Sequence, residues 1–134
     1  MSSRSTDLIR IRPELPKRPV QAAPSTDEYF QNHTLRPVIK LQNELLLAAF
    51  RNYAQKHKGA FFDLPQEKKT KYIENAIQKD IKFRNSLKGM LIGQFTLEEY
   101  ERYIQSSSAL NKRMMGMVIE RLKDQLQLLQ PSLV

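Results

Sequence analysis

DLPQEKKTKYIENAIQKDIKFRNSLKGMLIGQFT, residues 63–96, decides how the rest of the chain is read. At about 100° per residue, Lys68, Lys71, Asn75, Lys79 and Lys82 fall in one narrow stripe, and Ile73, Ala76, Ile77, Leu87 and Leu91 fall on the far side. The spacing predicts one long helix, or two joined at a kink. One face is made to be buried and the other to meet something negative. Asp63-Leu64-Pro65-Gln66 reads as the start, with an Asp cap, an early proline and Gln at the third position. The stretch ends around Gly93, because Thr96-Leu97-Glu98-Glu99 is a further capping box.

Upstream, a helix is expected from Ser25 or Thr26, with Asp27 and Glu28 in the first turn, where the helix dipole favours acids. Thr34 offers a second cap that would put Pro37 within a first turn. From there apolar residues cover much of the circumference up to Gly59, a C-terminal glycine preceded by Lys56, His57 and Lys58. Phe61 and Phe62 read as core plugs. Downstream, a short helix should turn Tyr100, Tyr103 and Ile104 inward. After Ser106–Ser108 a last helix runs from about Ala109 to Gln130, before Pro131, with Leu110, Met114, Met117, Val118, Leu122, Leu126 and Leu129 as its stripe. No segment alternates with the period of a strand, and no repeat is visible. The expected fold is an all-α bundle of about four helices over 26–134.

Residues 1–25 read differently. Four of the seven prolines lie here, and residues 1–24 carry a net +3. Closely spaced prolines favour an extended, solvated path, so a basic arm is expected, threaded along an anionic or protein surface. Arg10-x-x-Pro13-x-x-Pro16 also fits a loose proline-ligand spacing.

Composition narrows the function. The 134 residues suit one domain, and a formal charge of +8 with a pI of ≈ 9.8 favours anionic partners. With no cysteine there is no disulfide or thiolate metal site. The N-terminus has no apolar signal-like core and no run is long enough to span a bilayer, so a cytoplasmic protein is expected.

Catalytic patterns are sparse. His33 and His57 stand near helix ends without the Glu or His partners of a metal motif, and no nucleophile elbow, phosphate loop or dinucleotide fingerprint occurs. Asp80 and Arg84, four residues apart, fall near an apolar face, and Gln42 falls in another. They read either as a small-anion site or as an internal ion pair with a register-fixing glutamine. Gly89-x-x-x-Gly93 suggests close approach of a neighbour, and Met114, Met115 and Met117 suggest core filler or an adaptable surface.

Three segments, TLRPVIKLQNELLLAAF (34–50), YIENAIQKDIKFRNSLKGMLIGQFTLEEY (72–100) and SALNKRMMGMVIERL (108–122), resemble a family of short bacterial proteins from Bacteroidetes whose members are often labelled glyoxalase. The resemblance covers about residues 30–129. The label would imply a mixed α/β fold with His and Glu metal ligands, and this sequence has neither the strands nor that ligand pattern. The family is also similar to an additional large-subunit ribosomal protein of that lineage, which implies a small basic RNA-binding component. No functional residue carries over by motif.

The expectation is therefore a non-enzymatic rRNA-binding component of the bacterial ribosome, the large subunit favoured. No cofactor, metal or small-molecule substrate is expected, and its partners would be rRNA and neighbouring ribosomal proteins. Arg4, Arg10, Arg12, Lys17 and Arg18 of the arm and Lys68, Lys71, Lys79, Lys82 and Arg84 of the helical domain are the expected RNA contacts. A helical adaptor using the Met-rich helix and the proline arm is the second reading. A small glyoxalase-type enzyme using Gln42, Asp80 and Arg84 is the third.

Overall fold

The first departure from these expectations lies at the N-terminus. The computed structural model describes residues 2–15 and 22–131, and helix α1 (Ser3–Ile11) occupies nine residues of the segment expected to be extended. All the prolines follow it. Ser2 caps it by accepting the Ser5 N–H, so residues 3–11 have a local start signal and no helix breaker. Lys17 and Arg18 lie outside the described residues. Elsewhere the described chain is helical, with no strand.

Backbone contacts group the chain into two compact units. Unit 1 is Met1–Gln42 with Lys88–Met114, and unit 2 is Asn43–Leu87 with Met115–Val134. The expected first helix is segmented into α2 (Asp27–Phe30), a π-helical turn (Gln31–Leu35), α3 (Arg36–Leu41) and α4 (Asn43–Lys56). Thr26 caps α2, its hydroxyl accepting the Tyr29 N–H. Pro37 explains the π turn. Its ring would strike the His33 carbonyl in an α-helix, and the turn widens so that Arg36 N–H bonds Gln31 O instead. Thr34 is thus no cap: it is buried inside the continuous turn.

The organising stretch is two helices, α5 (Gln66–Lys79) and α6 (Ile81–Ile92). Asp63 does not cap α5. It closes a 3₁₀ turn (Ala60–Asp63), and Leu64 and Pro65 are extended, so Gln66 becomes the first helical residue. Gly59 has φ 69° and its N–H bonds Ala54 O at 2.9 Å, the left-handed ending expected of a C-terminal glycine. Helix α7 (Leu97–Tyr103) opens on the full Thr96–Glu99 capping box. Helix α8 (Ser107–Asp124) stops six residues before the expected Gln130. Gln125 instead pairs its amide with that of Asn43 at 2.9 and 2.7 Å, and the chain leaves through a 3₁₀ turn, Leu126–Leu128.

Unit 1 closes over Phe30, Leu35, Val38, Ile39, Leu91, Phe95, Tyr103 and Leu110. Tyr100 and Ile104, expected inward, are exposed, and only Tyr103 of that trio is buried. Unit 2 closes over an aromatic cluster in which Phe50 meets Phe61 edge-on at 5.0 Å and Tyr72 at 6.1 Å, with Ile73, Ile77, Leu87 and Val118 filling around it. Met114 and Met115 are buried core residues. A Cβ on Gly89 would meet nothing within 4 Å, so that glycine serves no close approach.

Candidate nucleic-acid interface

The break between α5 and α6 is made by an aspartate, without glycine or proline. Asp80 turns extended at φ −86°, ψ 98°. Its Oδ1 accepts the Phe83 N–H at 3.2 Å, capping α6, and its Oδ2 accepts the Tyr53 hydroxyl at 2.9 Å. The Phe83 N–H first, and then the Tyr53 hydroxyl, hold the Asp80 carboxyl below its ordinary 3.8. Burial, and then the hydrogen bond to Asp80, push the Tyr53 phenol up to about 12. At neutral pH the pair is therefore a neutral donor on an ionised acceptor. No ion pair joins Asp80 to Arg84 among the described residues. Arg84 is half-buried with its Nε lacking a hydrogen-bond partner.

Around that break lies an open groove of ≈ 700 Å³. The last turn of α4 supplies Tyr53, His57 follows directly after the helix, α5 supplies Tyr72, Asn75 and Lys79, and Ile81 and Lys82 follow the break. His57 stacks on Tyr53 at 4.1 Å between centroids, and Tyr53 stacks on Phe83 at 4.1 Å, giving a three-ring pile. The His57 Nδ1–H donates to the Tyr53 carbonyl at 2.9 Å, which orients the imidazole. Ile81 is 69% exposed at the rim.

Lys68, Lys71, Lys79 and Lys82 are all exposed, and none makes a hydrogen bond or ion pair among the described residues. The Lys123 salt bridge lowers the Glu74 carboxyl most, and the Lys71 charge adds a smaller pull. Lys69, off the stripe, lies over the Phe61 ring at 5.5 Å.

The arginines expected to reach for RNA behave otherwise. Arg12 grips Glu99 with two bonds of 2.7 Å and also donates to Gln94 O at 2.7 Å. Its side chain is only 7% exposed. Glu99 additionally accepts from the Thr34 hydroxyl and the Thr96 N–H, each at 2.8 Å. Burial pushes the Glu99 carboxyl up, but the Arg12, Thr96 and Thr34 bonds outweigh it and hold the group below its ordinary 4.5. Arg4 donates to Phe95 O and Gly93 O at 2.8 and 2.9 Å. Arg10 pairs with Asp7 at the surface. Arg4 and Arg12 therefore fasten α1 within unit 1. Sequence reading missed this lock because the partners lie 87 residues apart. The only local signal was Glu99 as a capping residue.

Gln42 sits at the α3–α4 junction and donates to Met90 O at 2.8 Å, a structural tie. No group of three or more His, Cys, Asp and Glu residues able to hold a metal occurs among the described residues, and no helix there is long and apolar enough to cross a membrane. No protein-family model, characterised protein or solved structure matches the chain.

Proposed function

We propose that this protein is a non-enzymatic RNA-binding component of the bacterial ribosome, with rRNA and neighbouring ribosomal proteins as its partners in the cytoplasm and the large subunit as the favoured site. The observation that carries the reading is the row Lys68, Lys71, Lys79 and Lys82, exposed and without bonded partners along α5 and into α6. Unpaired ammonium groups of this kind suit phosphate contacts, which supply affinity without reading sequence and weaken steeply with salt. Arg4 and Arg12 drop out as RNA contacts because their guanidinium groups are held internally. Sedimentation of cell extract through sucrose gradients tests the proposal. The protein should travel with the large subunit at low salt and be released at high salt, and protein left at the top of the low-salt gradient overturns it.

A protein-protein role has its own observation. Leu97, Tyr100 and Ile104 are 56, 46 and 55% exposed and lie along one stripe of α7 and its cap. The Met-rich helix does not supply that surface, since Met114 and Met115 are buried. Recovery of one stoichiometric protein partner after nuclease treatment, lost on Tyr100→Glu, would favour this reading.

A further inference from the structure

We propose that the groove beside Asp80 receives a single unpaired RNA nucleotide, its base stacked on the outer face of His57 and its phosphates held by Lys79 and Lys82. The inference rests on the RNA-binding reading and adds the form of RNA that is bound.

Four features of the groove converge on that ligand. The first is the ring pile Phe83–Tyr53–His57, which has one end in the core and the other at the surface: Phe83 is buried, His57 is exposed, and Tyr53 covers one face of the imidazole. The other face meets no further ring among the described residues. Base-on-aromatic stacking is tolerant of base identity. Second, the platform is already oriented in the free protein, by the bonds from Tyr53 to Asp80 and from His57 to the Tyr53 carbonyl. A rigid platform loses little freedom when a ligand arrives.

Third, Asn75 is exposed, lines the same groove and makes no side-chain hydrogen bond among the described residues. Its amide offers both a donor and an acceptor to a base edge. Fourth, Lys79 and Lys82 flank the break as unpaired cations. Asp80 is the one acid in the lining, and both its oxygens already accept hydrogen bonds. The groove volume of ≈ 700 Å³ falls in the range of small-ligand clefts, about 300–1,000 Å³, which suits a nucleotide and not a duplex. A base inside an A-form duplex keeps its faces in the stack, so only an unpaired one has a face to offer.

Unit 1 contains a natural control. Tyr29 and His33 repeat the same stacked pair at 3.9 Å, with His33 Nδ1–H donating to the Tyr29 carbonyl at 3.1 Å. The cavity beside Tyr29 is lined by Glu98, Glu99 and Arg102 and has no lysine. The one cation there, Arg102, is already paired with Asp27, and no free amide lines the cavity.

The test measures fluorescence anisotropy of the full chain with three labelled RNAs of equal length: a single strand, a blunt duplex and a single strand of abasic ribose-phosphate. The single strand should bind about tenfold more tightly than the abasic one, which carries the same phosphates without bases. His57→Ala combined with Asn75→Ala should erase most of that difference, His57→Phe should retain much of it, and His33→Ala should leave it intact. Circular dichroism of each variant confirms the fold, since all three positions are exposed. Equal affinity for the single and abasic strands, or preference for the duplex, overturns the inference and leaves the RNA-binding reading standing. Absence of binding to all three RNAs overturns both.

Discussion

Each unit holds eleven basic and seven acidic residues, a formal +4, yet seven of the ten arginines fall in unit 1 and eight of the twelve lysines in unit 2. Every described arginine of unit 1 has a partner: Arg4 on carbonyls, Arg10 on Asp7, Arg12 on Glu99, Arg36 on Asn32, Arg102 on Asp27 and Arg113 on Gln31. In unit 2, Lys56, Lys58, Lys68, Lys71, Lys79 and Lys82 are exposed, with no hydrogen bond or ion pair among the described residues. The division follows from chemistry. A guanidinium is planar, weakly hydrated and able to make several directed bonds, so it suits internal fastening. An ammonium is a compact, strongly hydrated charge that remains in water until a phosphate displaces it. Net charge alone does not distinguish the two units, whereas the partners of each cation do.

The sharpest way to break this comparison is to unlock unit 1. Arg12→Ala or Glu99→Ala leaves the other charge buried and uncompensated, and each should destabilise the protein by about 3–5 kcal/mol in urea unfolding. A loss below about 1 kcal/mol would show that the pair acts as a surface ion pair. Next in size is the lysine row. Replacing Lys68, Lys71, Lys79 and Lys82 together by Gln should reduce the slope of log affinity against log salt by about 3 if each meets one phosphate of a single strand. Their removal should change stability by less than about 0.5 kcal/mol each, because they are exposed and make no hydrogen bond or ion pair among the described residues.

A smaller effect concerns pH. The Glu99 carboxyl is held below 4.5 in the folded protein, so its contribution is present above that value. It is lost as pH falls below 4.5 and the folded carboxylate takes up its proton. Glu99→Gln should flatten that part of the stability profile measured by thermal unfolding, and an unchanged profile would assign the acid sensitivity elsewhere. The smallest effect is at Tyr53. Tyr53→Phe should cost about 1 kcal/mol through the lost hydrogen bond. It should also remove the tyrosine that ionises near pH 12 from an ultraviolet titration.

Much of the local structure was legible in advance. The Thr96–Glu99 capping box, the Gly59 ending and the burial of Ile73, Ala76, Ile77, Leu87 and Leu91 all follow from short-range spacing, and each is present. The candidate site was legible only in part. The lysine stripe is a periodicity, but the ring pile beside it needs α4 brought against the α5–α6 break, which no periodicity encodes. Residues 3–11 read as extended because the prolines after them dominate the composition of the segment, yet they form α1. Pro131 reads as the stop of the last helix, whereas the Gln125–Asn43 amide pair ends α8 earlier.

By itself, then, the sequence determined the all-helical character and the faces of its helices, because a 3.6-residue period, a cap or a glycine acts over a few residues. Which cations remain available to a ligand was decided by tertiary structure. Arg12 and Lys79 look alike in a list of basic residues. One meets a carboxylate 87 positions away and is buried, and the other meets none and faces water, because packing determines which groups come within bonding distance.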